Sequence, residues 1–258
     1  MNALMNPDLK SILCNILGGV IVAVLSWIYI KTYKRLNAFR FKIVFGKDSI
    51  TELKLVYGKM VLKPCYDEHR KRREFPYSKI GSSAGYRVSS ILADTEAISI
   101  KYLSDSFSKN TKESPSIASD EEISDKIDIS FIAVGGLNNK KTVDILDSQE
   151  NTYYRFDYNE SNYVDKITTI NDEKEVFLAR PITDYGMIIK TRPRQFPSRI
   201  HFCVAGIGEY GTRGASYFLA TKWKEILKKT KGKEFGIIIK VSNRIDESAE
   251  MVKCIVKK

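Results

Sequence analysis

"VAGIGEYGTRGASYFLATKW", residues 204–223, sets four glycines, a glutamate and a threonine between an apolar run and an amphipathic one. An apolar strand that enters a glycine turn and then a helix is the repeating unit of an α/β sheet. The same grammar occurs upstream in "DISFIAVGGLNNKKTVDIL", residues 128–146: strand, paired small residues, polar turn, threonine, helix. In open α/β sheets, ligands bind where the chain leaves the carboxyl ends of such strands. A helix N-terminus placed there offers unpaired N–H groups and partial positive charge, which suits a phosphate. Neither turn matches a P-loop, and either one alone is equally consistent with a plain corner between strand and helix.

Outward from these two units, the chain alternates apolar strands with helices. Strands are expected at 39–46, 53–62, 127–136, 153–158, 175–181, 185–191, 199–206 and 235–242, with another in the closing "MVKCIVKK". Helices are expected over 86–107, near 140–147 and over 212–229, a loop over 64–84, and a polar connector over 108–126. The fold class expected is α/β and Rossmann-like, a largely parallel sheet with helices on both faces.

The N-terminus carries a separate signal. "SILCNILGGVIVAVLSWIYI", residues 11–30, has no charge. Twenty such residues in a helix cover roughly 30 Å, the hydrocarbon thickness of a bilayer. Trp27, Tyr29 and Tyr33 follow, then Lys31, Lys34, Arg35, Arg40 and Lys42. Aromatics and then cations mark the cytoplasmic end of a span. A cleaved signal peptide would have a shorter apolar region and a more basic start. The expected organisation is a short extracytoplasmic N-terminus (1–10), a transmembrane helix (11–31), a basic juxtamembrane segment (32–42) and a cytosolic domain (43–258) in the inner membrane. Gly18 and Gly19 permit close approach of a second helix, and a homo-oligomer is expected.

Composition narrows the chemistry. Cys14, Cys65, Cys203 and Cys254 are scattered without CxxC spacing, and His69 and His201 are the only histidines, so neither a disulfide framework nor a metal site is expected. No cofactor motif is present. The net charge of +11 is distributed over the juxtamembrane segment, "HRKRRE" at 69–74, and the lysine-rich stretch "KWKEILKKTKGK". Without a nucleic-acid-reading motif, that charge reads as a solvated face toward anionic inner-leaflet lipids rather than a nucleic-acid site.

The first turn would present Gly135, Gly136, Asn138, Asn139 and Thr142 to a phosphate or sugar; the asparagines equally suit a turn. The second would present Gly206, Gly208, Gly211 and Thr212, with Arg213 and Gly214 beside them. Glu209, a carboxylate inside a glycine turn, could bond a ribose hydroxyl, act as nucleophile in glycosyl transfer, or complement the helix dipole. Asp184, at the start of "DYGMIIK", could cap a turn, and Lys190, Arg192 and Arg194 could neutralise a phosphate or sit on the surface.

Three blocks, "FIAVGGLNNKKT", "DYGMIIKTRPRQFPSR" and "CVAGIGEYGTRGASYFLATKW", resemble those of a bacterial family of membrane-anchored proteins. That family is similar to the Rossmann-like SLOG and nucleoside-deoxyribosyltransferase-like groups. The resemblance covers about residues 127–230; Tyr210 stands where tryptophan is expected and Arg213 where serine is. It implies a nucleotide or cyclic-nucleotide ligand, and relatives fused to membrane segments act in anti-phage nucleotide signalling. The expected function is therefore a membrane-tethered nucleotide-sensing effector. The alternatives are an N-glycosidase or transferase on nucleosides, nucleotides or NAD, with Glu209 as nucleophile and Asp184 or Asp144 as second carboxylate, and a structural membrane module without ligand.

Overall fold

The computed structural model describes residues 7–46, 52–59, 92–158 and 164–257. The loop expected at 64–84 and the start of the helix expected at 86 lie outside the described residues, as do Cys65 and His69.

The first described element is one unbroken helix, α1 (Pro7–Phe45), of 39 residues. It is long and apolar enough to cross a membrane, with mean hydropathy 1.7 in its apolar window and none of that window buried. The strand expected at 39–46 is the last part of this helix. Phe39, Phe41, Ile43 and Phe45 alternate like a strand, yet Phe41, Val44 and Phe45 also satisfy helical spacing. Burial decides between the two: those three are 0–4 % exposed, while Phe39 is 57 % exposed. Gly46, at φ +111°, closes the helix by donating its N–H to Lys42 O. The stretch after the apolar window is thus continuous with the domain core, and residue 43, expected to open the domain, lies inside a helix.

The domain continues through β1 (Lys54–Tyr57), α2 (Asp94–Thr111), β2 (Ser116–Ser119), β3 (Phe131–Val134) and α3 (Lys140–Leu146). An insertion of three strands follows, β4 (Tyr154–Tyr158), β5 (Val164–Thr169) and β6 (Asp172–Leu178). The chain then forms β7 (Thr183–Thr191), β8 (His201–Gly206), α4 (Glu209–Thr221), α5 (Trp223–Thr230), β9 (Phe235–Ser242) and β10 (Ile245–Val256). β2 lies inside the expected connector. The single helix expected at 212–229 breaks at Lys222, where Trp223 turns in to meet the ring of Phe41 at 5.2 Å.

The main sheet has seven strands in the order β10-β9-β7-β8-β3-β1-β2. β2, β1, β3 and β8 are mutually parallel; β7 runs against β8 and β9, and β10 against β9. Five of the seven strands therefore point the same way. Both sheet faces are buried, which is why these strands read as continuous apolar runs. On β8, Phe202 and Val204 join a core with α2, α4, α5 and the end of α1, while Cys203 and Ala205 join a second core on the opposite face. Helices lie on both faces, as expected, but unequally. The second face is covered by the short α3 and by the antiparallel sheet β4-β5-β6, whose Tyr154, Phe156, Ile167 and Phe177 supply the apolar cover.

Candidate functional site

β3 and β8 are parallel neighbours, with Val134 opposite Val204, so the two glycine turns leave the sheet side by side. The end of β1 and the start of β7 reach the same edge, since Tyr57 pairs with Val134 and Gly186 with Gly206.

In the first turn, Gly135 has φ +111°, and a Cβ there would lie 2.4 Å from Glu96 Oε1 on α2. Asn138 Nδ2 donates to the same oxygen at 3.0 Å. Asn139 is fully buried: its Oδ1 accepts from Lys141 N, and its Nδ2 donates to the carbonyls of Val56 and Val134 at 2.9 Å. Asn139 thereby caps α3 and ties the ends of β1 and β3 together. Thr142 Oγ1 donates to Gly135 O at 2.9 Å. Asp120, 2 % exposed, accepts from Lys59 N and Lys140 N, each at 2.9 Å. The amides of Gly136, Leu137 and Asn138 carry no hydrogen bond among the described residues. The first turn is thus braced from below by Asn139 and Thr142, and it presents free donors beside the Glu96 carboxyl. Burial raises the pKa of Glu96 above the ordinary carboxylate range, against the pull of Asn138.

The second turn is occupied by the protein itself. Asp184 Oδ2 accepts from Gly211 N at 2.7 Å, and Oδ1 accepts from Gly208 N at 3.3 Å and Tyr185 N at 2.7 Å. The amides that suit a phosphate at the start of α4 already hold this carboxylate. Thr212 Oγ1 accepts from Gly206 N and donates to Gly208 O. The glycines bring helix and sheet into backbone contact: a Cβ on Gly206 would fall 2.2 Å from Thr212 N, and one on Gly211 2.2 Å from Tyr185 O. Burial pushes the Asp184 pKa up, with the three N–H groups opposing. Glu209 is exposed at the first turn of α4. As partner for a nucleophilic Glu209, Asp184 is a carboxylate with both oxygens hydrogen-bonded. Arg213 is committed elsewhere: its Nη2 and Nε bond Asp246 Oδ2 at 2.7 and 3.0 Å, and Tyr102 OH donates to the same oxygen.

Lys190 is separated from both turns. It pairs with Phe202 and Phe235 at the far edge of the sheet, and it is fully buried. Its ammonium donates to Gly232 O at 2.9 Å and to Ile43 O, in the last turn of α1, at 3.5 Å. Arg194 lies at that edge as well, paired with Glu150 at 3.5 Å. A groove of about 710 Å³ opens there, lined by Phe131, Lys141, Arg194, Phe196 and His201 among others. Lys141 in this groove is held by Asp144 and Ser124 O, and His201, with burial lowering its pKa to about 4, bonds Ile129 O. Its Lys141 and His201 are taken up by internal partners, so volume alone does not make it the site.

Burial lowers the pKa of Lys190 to about 7, with Arg192 adding to the effect and Glu234 opposing it. The unfolded chain holds this proton up to about 10.5, so between pH 7 and 10.5 it binds more protons than the folded one. Stability should therefore rise with pH across that window, by no more than a few kcal/mol. Urea melts of the wild type and of Lys190→Met check it, with the variant expected to lose the slope. An unchanged slope would remove Lys190 as its source.

Glu96 and Asp120 are the parts of this edge that the sequence did not reveal. Glu96 sits in "DTEAISI", an ordinary acidic helix start, and Asp120 in a polar run. Comparison with protein-family models, curated proteins and solved structures yields no match for this chain.

Proposed function

We propose that this protein is a membrane-tethered sensor whose Rossmann-like domain, on the cytoplasmic side, binds a nucleotide-type ligand at the first turn and transmits binding to its anchor. The observation that carries this reading is the placement of α2. Near one end, α2 holds Glu96 against Gly135 and Asn138. Near the other, Asn110 Oδ1 accepts from Asn37 of α1 at 2.8 Å, and Phe107 meets Phe41 edge to face at 5.0 Å. From Glu96 to Asn110 it bridges about 21 Å between ligand edge and anchor. The first turn combines free N–H donors, which suit phosphate oxygens, with the Glu96 carboxyl, which suits ribose hydroxyls. Asp184 confines phosphate recognition to this turn rather than sharing it between both. The cations after the apolar stretch support the cytoplasmic side. Gly18 and Gly19 have open space around them and support association of anchors. The resemblance to membrane-fused signalling effectors supports a role in anti-phage defence.

A thermal-shift screen of the full chain in nanodiscs against nucleotides, cyclic oligonucleotides and NAD tests this reading. One of these classes should stabilise the chain. Gly136→Ala is the informative variant, because a Cβ there meets nothing closer than 3.9 Å. It should leave the unliganded melting temperature within about 1 °C while weakening binding at least tenfold, about 1.4 kcal/mol. Absence of any shift, or unchanged binding by Gly136→Ala and Glu96→Gln, would overturn the assignment. A C-terminal topology reporter found active only outside the cytoplasm would overturn the orientation.

A further inference from the structure

α5 lies against the part of α1 that follows the apolar stretch. Its buried side is Trp223, Ile226 and Thr230, and Trp223 packs on Phe41. Its outer side exposes Lys222, Lys224, Lys228 and Lys229, with Glu225 as the single acid in the helix. The ammonium of Lys224 lies 5.9 Å from the ring centroid of Tyr33, and that of Lys31 lies 4.5 Å from the ring of Trp27. Tyr33 is three residues beyond Ile30, about 4.5 Å along the axis. The ammonium of Lys224 therefore reaches back along α1 from α5, whose Trp223 packs beside Phe41, to the level where an emerging helix meets headgroups.

We propose that the lysines at the start of α5, Lys222 and Lys224, dock the domain on anionic lipid headgroups, jointly with Lys31, Lys34 and Arg35 of α1. The proposal rests on α1 spanning a bilayer. Two separate segments, about 190 residues apart in the chain, contribute cations to one surface beside the exit of the apolar helix. A soluble polyanion would meet the same charge, but nothing would require it to sit against Trp27 and Tyr33, whose rings suit the membrane interface. Headgroup phosphates satisfy both features. The function is orientation: it fixes which face of the domain points at the membrane and leaves the edge with the glycine turns for ligand.

The test uses the full chain in nanodiscs of phosphatidylcholine alone or with roughly 30 mol % phosphatidylglycerol. Amide exchange over residues 222–233 should slow at least about fivefold in the anionic discs and recover in high salt. Replacing Lys222 and Lys224 with Glu should abolish the lipid dependence while exchange of α4 and β9 in phosphatidylcholine stays unchanged. Equal exchange of α5 in both discs, with the chain retained, overturns the docking face. Protection by added RNA but not by phosphatidylglycerol overturns it too and reassigns the cations. Loss of the chain from both discs overturns the spanning helix, and the proposal with it.

Discussion

Gly206→Ala is expected to leave no cooperatively folded α/β domain. The new Cβ would sit 2.2 Å from Thr212 N, 2.4 Å from Gly211 C and 2.7 Å from Gly211 Cα. All three are backbone atoms of the first turn of α4, so no flexible side chain can move aside. The helix would have to lift from the sheet, and with it Ala215, Phe218 and Leu219, which are 0–2 % exposed in the core. Ordinary overpacking costs about 1–3 kcal/mol, and a backbone collision of this depth exceeds it, on the order of 4 kcal/mol or more. That is a large share of the 5–15 kcal/mol that typically holds a domain together. Circular-dichroism melts check the expectation, and Gly136→Ala in the neighbouring turn is the control. A Gly206→Ala protein melting near the wild type would refute the packing account.

Asp184→Ala should have the second-largest effect, about 3 kcal/mol, or roughly 6–12 °C in melting temperature for a domain of this size. The source is not the charge as such, because burial raises the pKa of this carboxyl despite its three N–H partners. What is lost is the acceptor for Tyr185, Gly208 and Gly211 N–H groups, and buried donors without acceptors are costly. Asp184→Asn keeps the shape and one acceptor oxygen, so about half the loss is expected. Equal melting temperatures for wild type and Asp184→Ala would show that water or a ligand, rather than Asp184, satisfies these amides.

How far the sequence foretold this arrangement depends on the range of the interactions involved. β8, β9 and β7 were legible because strands buried on both faces give unbroken apolar runs. The two turns were legible as neighbours because parallel strands leave a sheet at one edge. The end of α1 was not, since Phe39, Phe41, Ile43 and Phe45 fit a period of two as well as Phe41, Val44 and Phe45 fit a period of 3.6. Nor was β5, whose "VDKITT" lacks an apolar run because its buried Thr168 and Thr169 bond the carboxylates of Asp157 and Glu175. At the site, "GIGEYG" announces a tight helix start but not its occupant. Asp184 comes from a strand that runs antiparallel to β8, and only the sheet order delivers its carboxylate to Gly208 and Gly211. Lys190 reads as a phosphate-neutralising or surface cation until β7 is seen to end beneath the last turn of α1.

The unbroken α1 has a mechanical consequence. At 1.5 Å per residue its 39 residues form a rod of about 58 Å, of which a bilayer core would take roughly 30 Å. The remainder has no glycine or proline before Gly46 to act as a joint. With that helix in a bilayer, as proposed, the domain would be cantilevered rather than leashed: a tilt of the rod in the lipid would swing the glycine-turn edge, and a turn about the rod's axis would change the bearing on which that edge faces. Two copies drifting in one leaflet plane would meet with few orientations open to them, so the encounter is set by azimuth rather than by tumbling.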